Sequence, residues 1–581
     1  MTSVFDDLWR PVTRARGGWR QRLAADAAQS PVRQCHTVLR LLEDYSLGRI
    51  SAIQVWRHMD DLRLDGFEHP AITRLHGIAT HGTDANAQHN LQSILVAVLR
   101  MDTLISEVGG GCSISHVVKP SSLFTWLHAH DRRKWAQVFG ADTARLSNFW
   151  AQLFSSTQGQ QLKADHPYLR HHSVAEITHC IPCFIWDDAA PFSKKRSAQS
   201  LLWGSVLGTG LDFERIFLYC SEISIKGGDA MRAAGAWELL FADFDSLADG
   251  VKYVMGVDGI KWRLTLLFTE ADNEQRVSWG FRDYRTAMIC SECDCNRDDM
   301  PFTDLRDTAD WRPTTTLHVT REAYLSRIRP GHPLAASKYL GRWMAPFDVM
   351  HVYDLHGITA VVLGSILTKL VADPRLGRNQ QARLDFINGR RAEYYREHVV
   401  SSHVPTLLLQ NLKLKGWGEL TGQLIKAAGT RHLTPFVELL AVEFFSRENV
   451  QYDIAIVQTV VALNGIYAII FNGDMFLSPS QKVRLREHMN RLGKYLMFCR
   501  QFAKDANELL FAIKPKAHYG QHLDEAAGLI NPRAVMSYVG ESKLGKIVKI
   551  WRMSVSGPYK RTVQKTVHVK HLVALAISWK L

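Results

Sequence analysis

Three acids, far apart in the chain, stand where carboxylates could share metal ions. Asp187-Asp188 closes the apolar run C-I-P-C-F-I-W, and Asp272 closes K-W-R-L-T-L-L-F-T-E-A-D. Glu541 heads the run E-S-K-L-G-K-I-V-K-I-W-R. Acids just past strand ends are well placed to share metals at the edge of a sheet. Carboxylates suit the hard ions Mg²⁺ or Mn²⁺, which prefer oxygen ligands. Two acids from strand ends and one from a late helix can hold two such ions about 4 Å apart. One ion would activate a water or a 3′-hydroxyl for in-line attack at phosphorus, and the other would stabilise the leaving 3′-oxygen.

A second set of donors is softer. Cys290 and Cys293 are at C-x2-C spacing, and His518 and His522 are four apart, so both imidazoles lie on one face of a helical turn. Two thiolates and two imidazoles are the donor set of a closed, four-coordinate structural Zn²⁺ site, with Cys295 as a substitute thiol. Such a clip would pin the segment after Asp272 to the segment before Glu541. Cys180 and Cys183 share the C-x2-C spacing but sit inside an apolar strand, where they read as buried free thiols.

Glu541 is carried on a run whose Leu544, Ile547, Val548 and Trp551 form an apolar stripe. Lys543, Lys546, Lys549 and Arg552 line another side and are candidate contacts to a phosphate backbone. The whole chain agrees in sign: among 581 residues, 70 Lys plus Arg face 57 Asp plus Glu, a net charge of +13. That excess favours a polyanionic partner. An early cluster, Arg10, Arg14, Arg16, Arg20 and Arg22 with Trp9 and Trp19, reads equally well as a nucleic-acid contact or a solvated tail. Lys194-Lys195-Arg196 reads as a solvated loop. Gly109-Gly110-Gly111 reads as a loop rather than a phosphate cradle, because no lysine and helix signature follows.

A hydrophobic content of 46% marks a folded chain, and its length implies more than one domain. Nine cysteines, an odd number, argue for a reducing compartment over a disulfide framework. The N-terminus shows no basic-then-apolar secretory pattern. Ile454–Phe471, interrupted by Gln458, Thr459, Asn464 and Gly465, is expected to be a core helix and not a membrane span.

The elements that must position these residues follow from periodicity. Residues 1–165 read as a mostly helical N-terminal region that could bind DNA. From Ile177 the spacing changes to short apolar runs bounded by turns, the pattern of strands. Three strands, a helix and a fourth strand, with acids ending the first and fourth, is the order of a ribonuclease H-like core. The expected fold is therefore an α/β ribonuclease H-like catalytic core, residues 177–299, interrupted by a large all-α insertion, 300–510. The core is completed by 511–581.

This layout resembles the DDE transposases of the CACTA superfamily, which are related to the Transib transposases and the V(D)J recombinase catalytic subunit. In that family the second aspartate shortly precedes a C-x2-C pair, and an H-x3/4-H pair shortly precedes the catalytic glutamate. Here Cys290 follows Asp272 by 18 positions and Glu541 follows His522 by 19. D-D-A-A-P-F resembles the family's D-G-x-P-F turn. The proline spacing favours Asp188 as first acid, while Ala189 in place of glycine leaves Asp187 as the alternative. F-D-V-M-H-V-Y-D-L, with Asp348, His351 and Asp354, resembles the family's D-V-M-H block, and its role is left open. The resemblance implies a nuclear enzyme that cuts transposon ends and joins the 3′-hydroxyl to target double-stranded DNA. It implies two Mg²⁺ or Mn²⁺ ions on Asp188, Asp272 and Glu541, a structural zinc, and a homo-oligomer. A decayed, DNA-binding descendant and a ribonuclease H-like nuclease without strand transfer are the alternatives.

Overall fold

The computed structural model describes residues 36–67, 70–78, 84–99, 101–110, 113–194, 196–224, 235–414, 416–421, 425–446, 450–555 and 562–579. The arginine cluster Arg10 to Arg22 with Trp9 and Trp19, and also Gly111 and Lys195, lie outside the described residues. The chain divides into two compact units. The first takes the described residues up to Asn148, then His172–Leu267 and those from Val539 on; the second takes Phe149–His171 and Phe268–Tyr538. The segment expected as an all-α insertion, 300–510, lies wholly in the second unit.

The first unit is built on a mixed sheet of seven strands among the described residues. The strands are β1 (Ile105–Gly110), β2 (Ser113–Val118), β3 (Cys180–Pro191), β4 (Ser197–Ser205), β5 (Ile216–Ser224), β6 (Val254–Met255) and β7 (Lys261–Ala271). Their order across the sheet is β1-β2-β5-β4-β3-β7-β6. β3, β4 and β5 run antiparallel, with Asp188 opposite Ser200 and Ser200 opposite Ser221. After β5 the chain passes through helix Ala236–Ala248 and returns as β7 on the far side of β3. β3 and β4 are buried along almost their whole length, which explains their continuous apolar character: a central strand covered on both faces has no polar side to alternate with.

Helices cover both faces of this sheet. Successive strand residues point to opposite sides, so Asp187 and Asp188 face different layers. On the side of Asp187, Trp203 meets Phe244 of helix Ala236–Ala248 and Phe139 of helix Arg132–Phe139. On the side of Asp188, Trp551 donates to Ser221 Oγ at 2.7 Å, seating helix Tyr538–Ser554 across the strands. The β1–β2 hairpin departs from the expectation of helices alone in this N-terminal stretch. Gly109, at a φ of 100°, belongs to β1, so the glycine run leads into a hairpin turn.

The second unit carries helices and no strand among its described residues beyond residue 301. Gln451–Asn472 packs against Ala427–Phe445 and Pro479–Asp505, burying Val460, Leu463, Ile466 and Leu496. It and Met350–Ala372 are long and apolar enough to cross a membrane by length and composition. Most of each is buried in the unit instead, 61% and 72% of their most apolar stretches. That is the environment expected for the run Ile454–Phe471.

Candidate metal centres

In the second unit the four soft donors come together. Cys290 Sγ lies 3.4 Å from His522 Nε2, Cys293 Sγ lies 3.2 Å from His518 Nε2, and the two Nε2 atoms are 3.3 Å apart. Tetrahedral zinc, with bonds of about 2.3 Å to sulfur and about 2.05 Å to nitrogen, requires S···N of about 3.5 Å and N···N of about 3.3 Å. The donors therefore already stand close to the edges of a zinc tetrahedron. All four ligand atoms lie within 4.8 Å of one another and all four residues are buried, so the cluster could hold zinc. Cys295 is buried nearby but is not one of the four.

Local sequence explains the geometry. His518 lies in the short helix Pro515–Gly520 and His522 opens Leu523–Leu529, with the turn at Gln521 keeping both imidazoles on one side. Arg282 ties the thiol loop by donating to the carbonyls of Cys290 (2.9 Å) and Cys293 (2.8 Å). Tyr519 donates its hydroxyl to the carbonyl of Ile289 at 2.7 Å. Glu525 lies 3.6 Å from His522 Nδ1, the carboxylate-behind-imidazole arrangement that orients metal-binding histidines. Trp311 meets His518 edge-on at 4.4 Å, and Phe347 stacks on Tyr519 at 4.6 Å, which helps exclude water. Burial pushes the Cys290 thiol up to about 11 and Cys293 well above the ordinary range. A cation among them is what would make these sulfurs thiolates at neutral pH.

The cluster is joined to Asp272 through one buried arginine. Asp272 follows β7 and caps helix Asn273–Ser278, its Oδ1 accepting from Gln275 N at 2.7 Å. From that helix Arg276 donates to Glu292, between the two cysteines, at 3.0 Å. It also donates to the carbonyls of Ala345 and Pro346, and its guanidinium stacks on Phe281 and Phe347. Sequence reasoning missed Arg276. Its place four residues after Asp272 marks a helical neighbour but carries no sign of a link to the cysteines.

In the first unit a carboxylate oxygen of Asp188 and one of Glu541 lie within 4.8 Å of each other. Ala189 N donates to Asp188 Oδ1 at 2.6 Å, which orients the carboxylate. Glu541 reaches β3 because Gly540 precedes it: a Cβ at position 540 would stand 2.5 Å from the ring of Trp186. Asp187 faces the other side of the strand, where Gln199 Nε2 donates to both its oxygens at 3.2 Å. The Asp188 and Glu541 pair, two hard oxygen donors, fits Mg²⁺ or Mn²⁺. Cys180 and Cys183 of the same strand are buried thiols, Cys180 pushed up to about 12 by burial.

The expected basic face of the Glu541 helix is corrected at one position. Lys543 is fully buried, donates to the carbonyl of Phe213 at 3.0 Å and lies 3.6 Å above that residue's ring. Burial drives its amine well below the ordinary lysine range, so it is not placed to meet a phosphate. Lys549 and Arg552 are exposed and Lys546 is half-buried. Arg552 also donates to the carbonyl of Phe192 at 3.2 Å.

The F-D-V-M-H-V-Y-D-L block forms a single π-turn, in which Leu355 N donates to Met350 O at 2.8 Å. Asp348 accepts from His351 Nδ1 at 2.5 Å, from Ser537 N at 2.9 Å and from Ser537 Oγ at 2.5 Å. Burial alone would raise the Asp348 carboxyl, but His351 and Ser537 bring it below its ordinary value. Asp354 accepts from the hydroxyls of Tyr467 and Tyr538. Burial pushes Asp354 up to about 7 in spite of those two bonds. The two acids thus hold Ser537 and Tyr538, where the Glu541 helix begins.

The chain matches no model of a known protein family, and no curated protein is significantly similar to it.

Proposed function

We propose that the protein is a DDE-type DNA transposase. The single observation that carries this reading is the approach of Asp188 to Glu541 within 4.8 Å, between residues far apart in the sequence, on one face of a buried sheet. The order of β3, β4, β5, helix Ala236–Ala248 and β7, with β7 beside β3, supports a ribonuclease H-like core. Asp272, one residue beyond β7, is the third metal-holding acid, and Asp187, held by Gln199, is structural. Asp272 keeps one oxygen in its helix cap, and a carboxylate has a second oxygen to offer a metal.

Each residue has a task in that reading. Asp188, Asp272 and Glu541 fix the ions, which when bound would lower the pKa of the attacking hydroxyl and offset charge on the leaving 3′-oxygen. Cys290, Cys293, His518 and His522 hold a structural zinc and, through Glu292 and Arg276, set the helix that Asp272 caps. Lys549 and Arg552, with Lys546 beside them, contact the phosphate backbone and steer DNA onto the Glu541 helix. Double-stranded DNA is the partner, the nucleus the place of action, and a homo-oligomer the working form, because two transposon ends must be brought together.

Joining of a DNA 3′-end distinguishes this reading from its rivals. Purified protein, supplied with Mn²⁺, a supercoiled plasmid and short duplexes copied from the repeats that flank its gene, is expected to yield plasmid covalently joined to duplex 3′-ends. Nicked plasmid without joined product would identify a nuclease instead. DNA binding with neither product would identify a catalytically decayed descendant.

A further inference from the structure

Asp348 and His351 are held together by a short bond, and the backbone around them takes an uncommon form. The π-turn Met350–Asp354 is followed by His356 at a φ of 52°, and by Gly357, where a Cβ would press into the carbonyl of Val352. Single π-turns and left-handed non-glycine residues cost stability and gather at functional sites. A dyad that merely tied residue 348 to residue 537 would need none of this, since Ser537 alone supplies two bonds to Asp348.

The hydrogen bonding assigns the imidazole's proton. An ionised carboxylate only accepts, so the 2.5 Å contact from Nδ1 to Asp348 puts the proton on Nδ1 and the lone pair of the neutral ring on Nε2. A carboxylate behind Nδ1 is how metal-binding histidines are oriented and made more basic. Asp348 and His351 line a small cavity together with Ala271 and Asn273, the residues on either side of Asp272, and with Lys516. The imidazole and the neighbours of the second acid therefore open on the same space.

We propose that His351, through Nε2, is a nitrogen ligand of the divalent ion held by Asp272. This rests on the metal-site reading above and adds a ligand that a purely carboxylate site lacks. One imidazole among carboxylates shifts preference from Mg²⁺ toward Mn²⁺, because nitrogen donors suit the softer ion. Asp348 is a positioning residue that holds the tautomer.

The test is electron spin-echo spectroscopy on the full-length protein, with its cysteine–histidine cluster saturated with Zn²⁺ and Mn²⁺ then added. Expected is modulation from a directly bound nitrogen that changes frequency when the protein is grown with ¹⁵N-histidine, a measurement needing no substitution. The signal should vanish in His351→Ala, and Asp348→Asn should weaken Mn²⁺ binding by about 10–100-fold. Mn²⁺ that binds and depends on Asp272, but shows no histidine nitrogen, overturns the His351 assignment and leaves the carboxylate site standing. Mn²⁺ that does not bind, or is indifferent to Asp272→Asn, overturns both. If His351→Ala does not fold, the labelled parent together with Asp348→Asn decides the matter.

Discussion

Replacing Gly540 by alanine sets two effects of opposite sign against each other. Inside a helix the change ordinarily stabilises by about 1 kcal/mol, because glycine is the more flexible in the unfolded chain. Here the new methyl carbon would stand 2.5 Å from Trp186 Cδ2 and 2.7 Å from Cε2. Carbon atoms rest about 3.5–4.0 Å apart, so the start of the Glu541 helix or the indole must move by about 1 Å. Trp186 is fully buried in β3 and has no open space to swing into. Overpacking of this kind costs about 1–3 kcal/mol, which outweighs the helix effect. Glu541 is the next residue, and a misplacement of about 1 Å in a catalytic group can cost about 100-fold in rate. Gly540→Ala is therefore expected to lower the urea midpoint and reduce Mn²⁺-dependent nicking by about 100-fold. Trp186→Phe, which removes ring atoms near the contact, should restore part of both when combined with it. A Gly540→Ala protein that is more stable than the parent and cuts DNA at the same rate would refute the close-approach argument.

Two further outcomes concern the second unit. Purified protein should carry about one zinc per chain, and Cys293→Ser should weaken its retention and lower the denaturant midpoint, because metal binding at a closed site is folding free energy. Metal analysis finding no zinc in the parent would remove the clip. Asp354, pushed up to about 7 when folded, keeps a proton that the unfolded chain releases at about pH 4. Its contribution to stability is therefore greatest below about pH 4, declines as pH rises toward about 7, and is lost above that. The decline should be missing from a plot of urea midpoint against pH for Asp354→Asn; an unchanged slope would place the titration elsewhere.

The parts of the site legible in the sequence are those whose chemistry dictates residue type and spacing. C-x2-C and H-x3-H could be paired as one donor set because few other arrangements of thiols and imidazoles close a tetrahedron, and the four residues do meet. The strands β3, β4, β5 and β7 could be read because buried strands are written as unbroken apolar runs. Register was harder. Whether Asp187 or Asp188 faces Glu541 depends on which side of β3 the helix Tyr538–Ser554 covers, a tertiary fact that a strand does not encode by itself. Lys543 misled for a related reason: helical periodicity groups it with Lys546 and Lys549, yet the ring and carbonyl of Phe213 close over it. The β1–β2 hairpin was hidden by its glycines, which resemble a plain loop until a partner strand is seen. The grip of Asp348 and Asp354 on Ser537 and Tyr538 spans far too much sequence for any local pattern to show.

The most direct measurement of the central claim is divalent-metal-dependent nicking of supercoiled plasmid by the parent protein and by Asp188→Asn, Asp272→Asn and Glu541→Gln, each checked for folding and for DNA binding. The account predicts a parent that nicks only with Mg²⁺ or Mn²⁺, and three variants that bind DNA nearly as the parent does while cutting at least about 100-fold more slowly. Variants that cut as fast as the parent would contradict it.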